Sequence, residues 1–158
     1  MENEKKNIKK ILIIIAIVIL LIIATLIIIN MYQNSQDERL ENQLRKDGYT
    51  RVTDKIYEKA ESSDNDSASY VVNIATKRIT KTISRQTNDS QEVISLLKNG
   101  DIITASYNYR GPSCRISQTG SYNGKDFTCD ISNKKPGCEA KCDVILTEIK
   151  KFAKEKLQ

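Results

Sequence analysis

The chain contains no histidine and no tryptophan among its 158 residues, and it has only two prolines and six glycines. Without histidine, nucleophiles activated by an imidazole base are excluded, as are histidine-based metal catalysis and imidazole pH switches. The glycines are scattered singly, so the sequence has no glycine-rich phosphate loop. Serine–lysine dyads and carboxylate pairs remain, but no spacing singles one out. The sequence therefore predicts a non-catalytic protein without a cofactor, and an envelope enzyme that uses such a pair is the alternative.

Charge is absent from residues 11–29, which read ILIIIAIVILLIIATLIII. At about 1.5 Å rise per residue this segment makes a helix about 28 Å long, close to the roughly 30 Å hydrocarbon core of a bilayer. A buried helix of a soluble protein would keep an amphipathic stripe, and a cleaved signal peptide would be shorter and followed by small residues at a cleavage site. The segment shows neither pattern, so we expect an uncleaved transmembrane helix that acts as a signal anchor.

The charges beside this segment predict its orientation. Basic residues lie just before it, at Lys5, Lys6, Lys9 and Lys10. The first charged residues after it are Asp37 and Glu38. Lysine and arginine near the end of a membrane helix favour the cytoplasmic side. The sequence therefore predicts a single-pass protein of the cell membrane, with a cytoplasmic tail over residues 1–10 and the C-terminal domain outside.

A stalk helix is expected over residues 30–48. The stretch QDERLENQLRKDG contains helix formers throughout, places Leu40 and Leu44 four residues apart, and ends in Gly48, which suits a left-handed helix cap. The leucine pair needs a partner, either the rest of the domain or a second chain. An oligomer through the transmembrane and stalk helices is therefore one expectation.

Residues 49–158 are predicted to form a small α+β domain with a mainly antiparallel sheet of about four to six strands. Polar residues 61–69 indicate a loop, and residues 70–83 a hairpin whose turn lies near 75–78, where the apolar alternation changes parity. The stretch QEVISLLKN, residues 91–99, follows Asn-Asp-Ser and is expected to be a short helix. Residues 102–109 read as a strand.

The last third of the chain predicts a hairpin followed by a helix. The dipeptide Asn123-Gly124 is typical of two-residue type I′ turns, which would place Gln118 opposite Cys129. Alternation then assigns one strand face to Cys114, Ile116, Phe127, Cys129 and Ile131. A helix over residues 138–157 presents one stripe, expected to pack on that face, of Cys138, Cys142, Ile145, Ile149, Phe152 and Ala153.

The four cysteines are predicted to form two disulfides outside the cytoplasm. A bridge within one helical turn would be strained, and the two strand cysteines lie on diagonal positions, so each helix cysteine is expected to reach a strand cysteine. The resulting pairs are Cys114 with Cys138 and Cys129 with Cys142. A four-thiolate zinc site is an alternative, although the spacing lacks C-x2-C knuckles, and a redox role for CEAKC is another.

An interaction surface is suggested by tyrosines and arginines near one end of the hairpin, since both residue types are favoured in interfaces. Its members are Tyr107, Tyr109, Arg110, Arg115 and Tyr122. Aromatic cover over a small core is the other interpretation. Besides the lipid bilayer, the partners considered are another envelope protein or an anionic envelope polymer. Nucleic acid is not expected, because the part outside carries a net charge of only +3, from 21 basic and 18 acidic residues.

The predicted function is a membrane-anchored extracytoplasmic protein whose small non-catalytic domain serves binding or assembly. A membrane helix, a stalk helix and a small sheet with C-terminal disulfides resemble the architecture of type IV pilins and pseudopilins. That resemblance implies a self-assembling structural subunit, which is a further alternative. The processed glycine followed by Phe-Thr-Leu-Ile-Glu is absent from this sequence, and no carboxylate lies within the apolar segment.

Overall fold

A computed structural model describes the backbone of residues 2–155 and the side chains of residues 13–155. In chain order its elements are helix α1 (Glu2–Lys46), strands β1 (Thr50–Thr53), β2 (Ile56–Ser62), β3 (Asp66–Asn73), β4 (Arg78–Gln86), β5 (Gln91–Asn99), β6 (Ile102–Arg110), β7 (Arg115–Tyr122) and β8 (Phe127–Lys134), and helix α2 (Cys142–Lys154). The chain divides into two compact units, residues 1–42 and 43–158. The α+β class with an N-terminal apolar helix, an antiparallel sheet and a C-terminal helix is confirmed.

The first unit comprises residues 1–42 and contains the apolar segment of α1. Every side chain of residues 13–29 is exposed, and α1 includes an apolar window with a mean hydropathy of 3.3. An apolar helix without protein around it needs another apolar environment, and this helix is long enough to cross a membrane. The boundaries at residues 10, 29 and 48 stay predictions, because α1 is continuous through Lys46.

Helix α1 ends as its sequence predicts. Gly48 has a φ of 84°, in the left-handed region that glycine adopts without a steric penalty. The Gly48 amide donates to the Arg45 carbonyl at 3.2 Å, and the Tyr49 amide donates to the Leu44 carbonyl at 2.9 Å. These two bonds form a Schellman motif, which satisfies carbonyls that the end of a helix leaves unpaired.

The second unit is built on an eight-stranded antiparallel sheet in which every strand pairs with the next one along the chain. The expected hairpin around residues 75–78 is confirmed by the pairing of β3 with β4, and the expected strand over 102–109 is confirmed by β6. The estimate of four to six strands was too low. The predicted loop 61–69 shrinks to residues 63–65, because its serines and alanine take part in strand pairing on both sides.

The predicted helix over residues 91–99 is wrong, since these residues form β5. Only Ile94 and Leu96 are buried on it, which is the alternation of a strand. Strands β4 and β6 supply hydrogen-bonding partners on both sides, and this tertiary context overrides the local helix signal. Gly100, with a φ of 61°, closes the two-residue turn to β6.

The hairpin of β7 and β8 has a different register from the predicted one. Gly120, not Gln118, lies opposite Cys129, and the loop contains four residues, 123–126. The Asn123 side-chain oxygen accepts hydrogen bonds from two backbone amides of this loop, at 3.0 and 2.8 Å, which favours a wider turn than type I′. From Gln118 to the turn the register shift is two residues, so the predicted strand faces are unchanged there. A bulge between Ser117 and Gln118 then pairs Ile116 with Lys134 instead of the predicted Ile131.

Helix α2 begins at Cys142 and not at Cys138, which lies in the loop before it. The disulfides fix both cysteines, and Pro136 and Gly137 interrupt any earlier helical start. Ile145, Ile149 and Phe152 are buried as predicted, whereas Ala153 is exposed. The expected last helical residue, Leu157, lies outside the described residues.

Candidate interaction surface

The sheet has two unlike faces. Helix α2 packs against β5, β6 and β7 on one of them, here termed the covered face. On these strands the covered face carries Ile94, Leu96, Ile103, Ala105, Tyr107, Ile116, Gln118 and Gly120, all of them buried. The alternate side chains point to the opposite side, here termed the open face, and none of them is fully buried on β4 to β8.

Hydroxyl side chains dominate the open face. Strand register arranges them in rows that cross the sheet, and one row consists of Ser69, Thr82, Ser95, Ser106, Thr119 and Asp130. The next row consists of Val71, Thr80, Leu97, Thr104, Ser121 and Thr128. A concavity of about 440 Å³, here termed the hydroxyl groove, lies over these rows between β4 and β8. Its described lining residues offer hydroxyl donors and acceptors and a single carboxylate, Asp130, together with the exposed apolar side chain of Leu97.

Two arginines lie at one end of the same face. Arg110 ends β6 and Arg115 begins β7, and the two are directly opposite in register. Their Cβ atoms are therefore about 4.5–5.5 Å apart, at a position where like charges destabilise a sheet. Both side chains are exposed, and within residues 13–155 neither forms an ion pair or a side-chain hydrogen bond. We term them the arginine pair.

A second concavity, of about 300 Å³, adjoins the arginine pair. Its other polar lining residues are Gln91, Asn108, Ser117 and Asn133, and none of the described lining residues is acidic. The Ser117 hydroxyl donates to the Asn108 side-chain oxygen at 2.9 Å, which leaves the Asn108 amide hydrogens available. Two cations and several neutral hydrogen-bond donors line this concavity beside Val93, Tyr109 and Ile116, and these polar groups suit an anion.

The structure separates the residues of the predicted interaction surface. Tyr107 is buried on the covered face, and Tyr109 is half-buried against the same core. Tyr122 also faces the core, and its hydroxyl donates to the Gly124 carbonyl at 2.8 Å. Only Arg110 and Arg115 lie together on the open face. The positions of the tyrosines thus agree with the alternative interpretation, in which they cover the core. Binding by the two arginines stays a prediction.

A cluster of ion pairs lies on the covered face, between the sheet and α2. Arg85 contacts Glu92 at 2.9 Å and the buried Glu148 at 3.3 Å, and Lys151 also contacts Glu148, at 3.3 Å. Burial raises the pKa of Tyr107 far above its ordinary value, and the Glu92 carboxylate raises that pKa further. These ion pairs form a network beneath α2 that connects the helix to the sheet.

The sequence left three arrangements open: a serine–lysine dyad, a pair of carboxylates and a metal site. The carboxylates of Glu92 and Glu148 are bridged by the Arg85 guanidinium, at 2.9 and 3.3 Å. The amines of Lys81 and Lys151 are hydrogen-bonded to carboxylates, and across residues 13–155 no group of acidic or cysteine residues is placed to hold a metal.

The cysteines form the pairs expected from the sequence. Cys114 is bonded to Cys138 with a Cα–Cα distance of 5.5 Å, and Cys129 to Cys142 with a Cα–Cα distance of 5.9 Å. Gln118 is fully buried beside the second bridge, where its amide nitrogen lies 3.3 Å from the Cys142 sulfur. Its side-chain oxygen accepts from the Lys141 amide at 2.8 Å, just before α2. Gln118 and the bridge together fix the start of the helix.

The hydroxyl groove is the feature that sequence reasoning missed. A signal was present, since serine and threonine recur at every second position of β4, β6 and β7, as in Ser117, Thr119 and Ser121. Reading β5 as a helix broke the sheet at its centre, so these strands could not be recognised as neighbours. None of the protein-family models, curated proteins and solved structures compared with this chain matches it.

Proposed function

We propose that the protein is a single-pass membrane protein whose second unit is a non-enzymatic binding domain outside the cell. One observation carries this proposal: an apolar helix without protein cover belongs to the same chain as a domain in which all four described cysteines form disulfides. The helix favours lipid, and disulfides persist in oxidising compartments outside the cytoplasm. The four lysines before the apolar segment favour a cytoplasmic N-terminus.

The binding role is supported by the unlike faces of the sheet. The covered face and α2 provide the core, while the open face of β4 to β8 is left to solvent with ordered rows of hydrogen-bonding side chains. On the covered face Lys81 and Arg85 each contact a carboxylate. The open face therefore offers the chemistry for recognition of a polar partner.

A topology experiment tests the proposal. Chains with an epitope tag at either end would be produced in a bacterial host and probed with antibody before and after permeabilisation. We expect the C-terminal tag to be labelled on cells whose wall has been removed but whose membrane is intact, and the N-terminal tag only after permeabilisation. Alkaline carbonate washing should leave the protein in the membrane fraction. A C-terminal tag that is reached only after permeabilisation would contradict the proposal.

The disulfides provide an independent readout of the same topology. Cysteines outside the cytoplasm should resist alkylation in non-reduced samples, whereas cytoplasmic ones would be alkylated. As a matched variant, the four lysines before the helix would be changed to glutamine, and new lysines placed at Asn34 and Gln36. This change moves the basic residues to the other end of the helix and should bring a fraction of chains into the opposite orientation, with reduced cysteines.

A further inference from the structure

We propose that the open face binds a phosphodiester-linked polyhydroxyl polymer, with a phosphate group at the arginine pair and the chain along the hydroxyl groove. This inference deepens the proposed function and rests on it, since the domain meets such a polymer only if it lies outside the cell. The juxtaposition that carries it is an unpaired, directly opposed pair of guanidinium groups at the end of an uncharged run of hydrogen-bonding side chains.

The arginine pair needs a counter-ion that the described part of the chain does not supply. On the covered face, Lys59, Lys81 and Arg85 each contact a carboxylate. Arg110 and Arg115 have no such contact, although their position opposite one another is electrostatically unfavourable. An anion with several oxygens that bridges both guanidinium groups removes this repulsion and accepts charge-assisted hydrogen bonds from each.

Additional donors surround the same point. The amide groups of Gln91, Asn108 and Asn133 line the concavity, and no described carboxylate opposes an anion there. Lys134 and Lys135 follow at the end of β8, and the Lys135 amide donates to the Arg115 carbonyl at 2.9 Å. Positive charge therefore accumulates at this end of the sheet.

The hydroxyl groove argues for a chain and against an isolated anion. Moving away from the arginine pair, the cross-strand pairs of β6 and β7 are Asn108 with Ser117, Ser106 with Thr119, and Thr104 with Ser121. Equivalent pairs recur about every 6.8 Å, so the run extends about 20 Å from Arg110 to Thr104. All of these side chains can both donate and accept hydrogen bonds, which suits the hydroxyl groups of a polyol or sugar backbone.

The composition of the open face disfavours ligands that bind by stacking. On β4 to β8 its side chains include no aromatic ring, whereas single-stranded nucleic acids are bound largely by stacking on such rings. Asp130, at the edge of the groove, repels phosphate, so the phosphate group is placed at the arginine end and the uncharged part of the repeat near Asp130.

The test uses the full chain in nanodiscs of zwitterionic lipid and a poly(glycerol phosphate) of about ten units as the probe. We expect binding by calorimetry, and a loss of affinity of about tenfold or more in R110Q/R115Q, since two charge-assisted contacts are removed. The matched control is R78Q/K125Q, which removes two exposed positive charges at the opposite end of the strands and should bind within about twofold of the parent chain. D130N should bind more tightly.

Three ligands separate the parts of the inference. Neutral polyglycerol and inorganic polyphosphate should each bind at least about tenfold more weakly, because one lacks the anion and the other the hydroxyl groups. Vesicles containing phosphatidylglycerol should show no binding that depends on Arg110 and Arg115. Equal loss in both double variants, equal binding of polyphosphate, or arginine-dependent binding to the vesicles would each overturn the assignment.

The proposed function fails separately from this site. Binding by the isolated protein together with a cytoplasmic C-terminal tag would leave the site intact and refute the location. An external tag without binding to the polymer would refute the site and leave the location intact.

Discussion

Removal of each disulfide in turn should show that the bridge that closes the shorter loop contributes more to the free energy of unfolding. The bridge between Cys114 and Cys138 spans 24 residues, and the bridge between Cys129 and Cys142 spans 13. The loss of loop-closure entropy alone predicts costs of about 3.5 and about 2.9 kcal/mol in the free energy of unfolding. By this term the longer loop is the more stabilising, by about 0.5 kcal/mol.

Gln118 reverses this order. It is fully buried, and its amide nitrogen faces the sulfurs of Cys142 and Cys129 at 3.3 and 3.8 Å. In C129A/C142A that nitrogen has no acceptor, and an orphaned buried donor costs about 1–3 kcal/mol. This exceeds the difference of about 0.5 kcal/mol between the two loops. We therefore expect a loss of about 4–6 kcal/mol for C129A/C142A against about 3.5 kcal/mol for C114A/C138A.

The measurement is the urea concentration at which the full chain in detergent micelles becomes susceptible to a short pulse of protease. C129S/C142S is the matched control, because each serine oxygen can accept a hydrogen bond from Gln118, and it should be less destabilised than the alanine version. If C114A/C138A proves as destabilised as C129A/C142A, or more so, the role assigned to Gln118 is refuted.

Three further substitutions test the packing of the domain. Gly120→Ala should lower the free energy of unfolding by about 1–3 kcal/mol, because a Cβ there would lie 2.7 Å from the Ile145 side chain; unchanged urea unfolding would contradict this. Tyr57→Phe should be neutral or stabilising in the same assay, since the Tyr57 hydroxyl is the one buried side-chain polar atom without a hydrogen-bond partner in residues 13–155. Tyr107 is kept neutral in the fold, where its pKa is raised, while the unfolded chain ionises above about pH 10; stability should therefore fall above that pH, and less steeply in Tyr107→Phe.

The local sequence was sufficient to predict a long apolar helix and the glycine that ends it. The apolar run of α1 and the glycine cap at Gly48 follow from hydrophobicity and from backbone conformations that neighbours in space do not alter. The disulfide pairs also followed from sequence, because a register error of two residues keeps every side chain on its face.

The candidate site could be predicted only in part. Arg110 and Arg115 were identified by composition, but grouped with Tyr107, Tyr109 and Tyr122. Adjacent residues of a strand point to opposite faces of the sheet, so Tyr109 and Arg110 lie on different faces although they are neighbours in sequence.

The sequence by itself determined the membrane-length helix, the α+β class and the set of cysteines, since each depends on the composition or periodicity of a single segment. Only the tertiary structure decided that residues 91–99 are a central strand of the sheet, that Arg110 and Arg115 lie opposite each other without a counter-ion, and that rows rich in hydroxyl side chains cross the sheet from β3 to β8. These features depend on hydrogen bonds between strands and on cross-strand register, which pair residues that are distant along the chain.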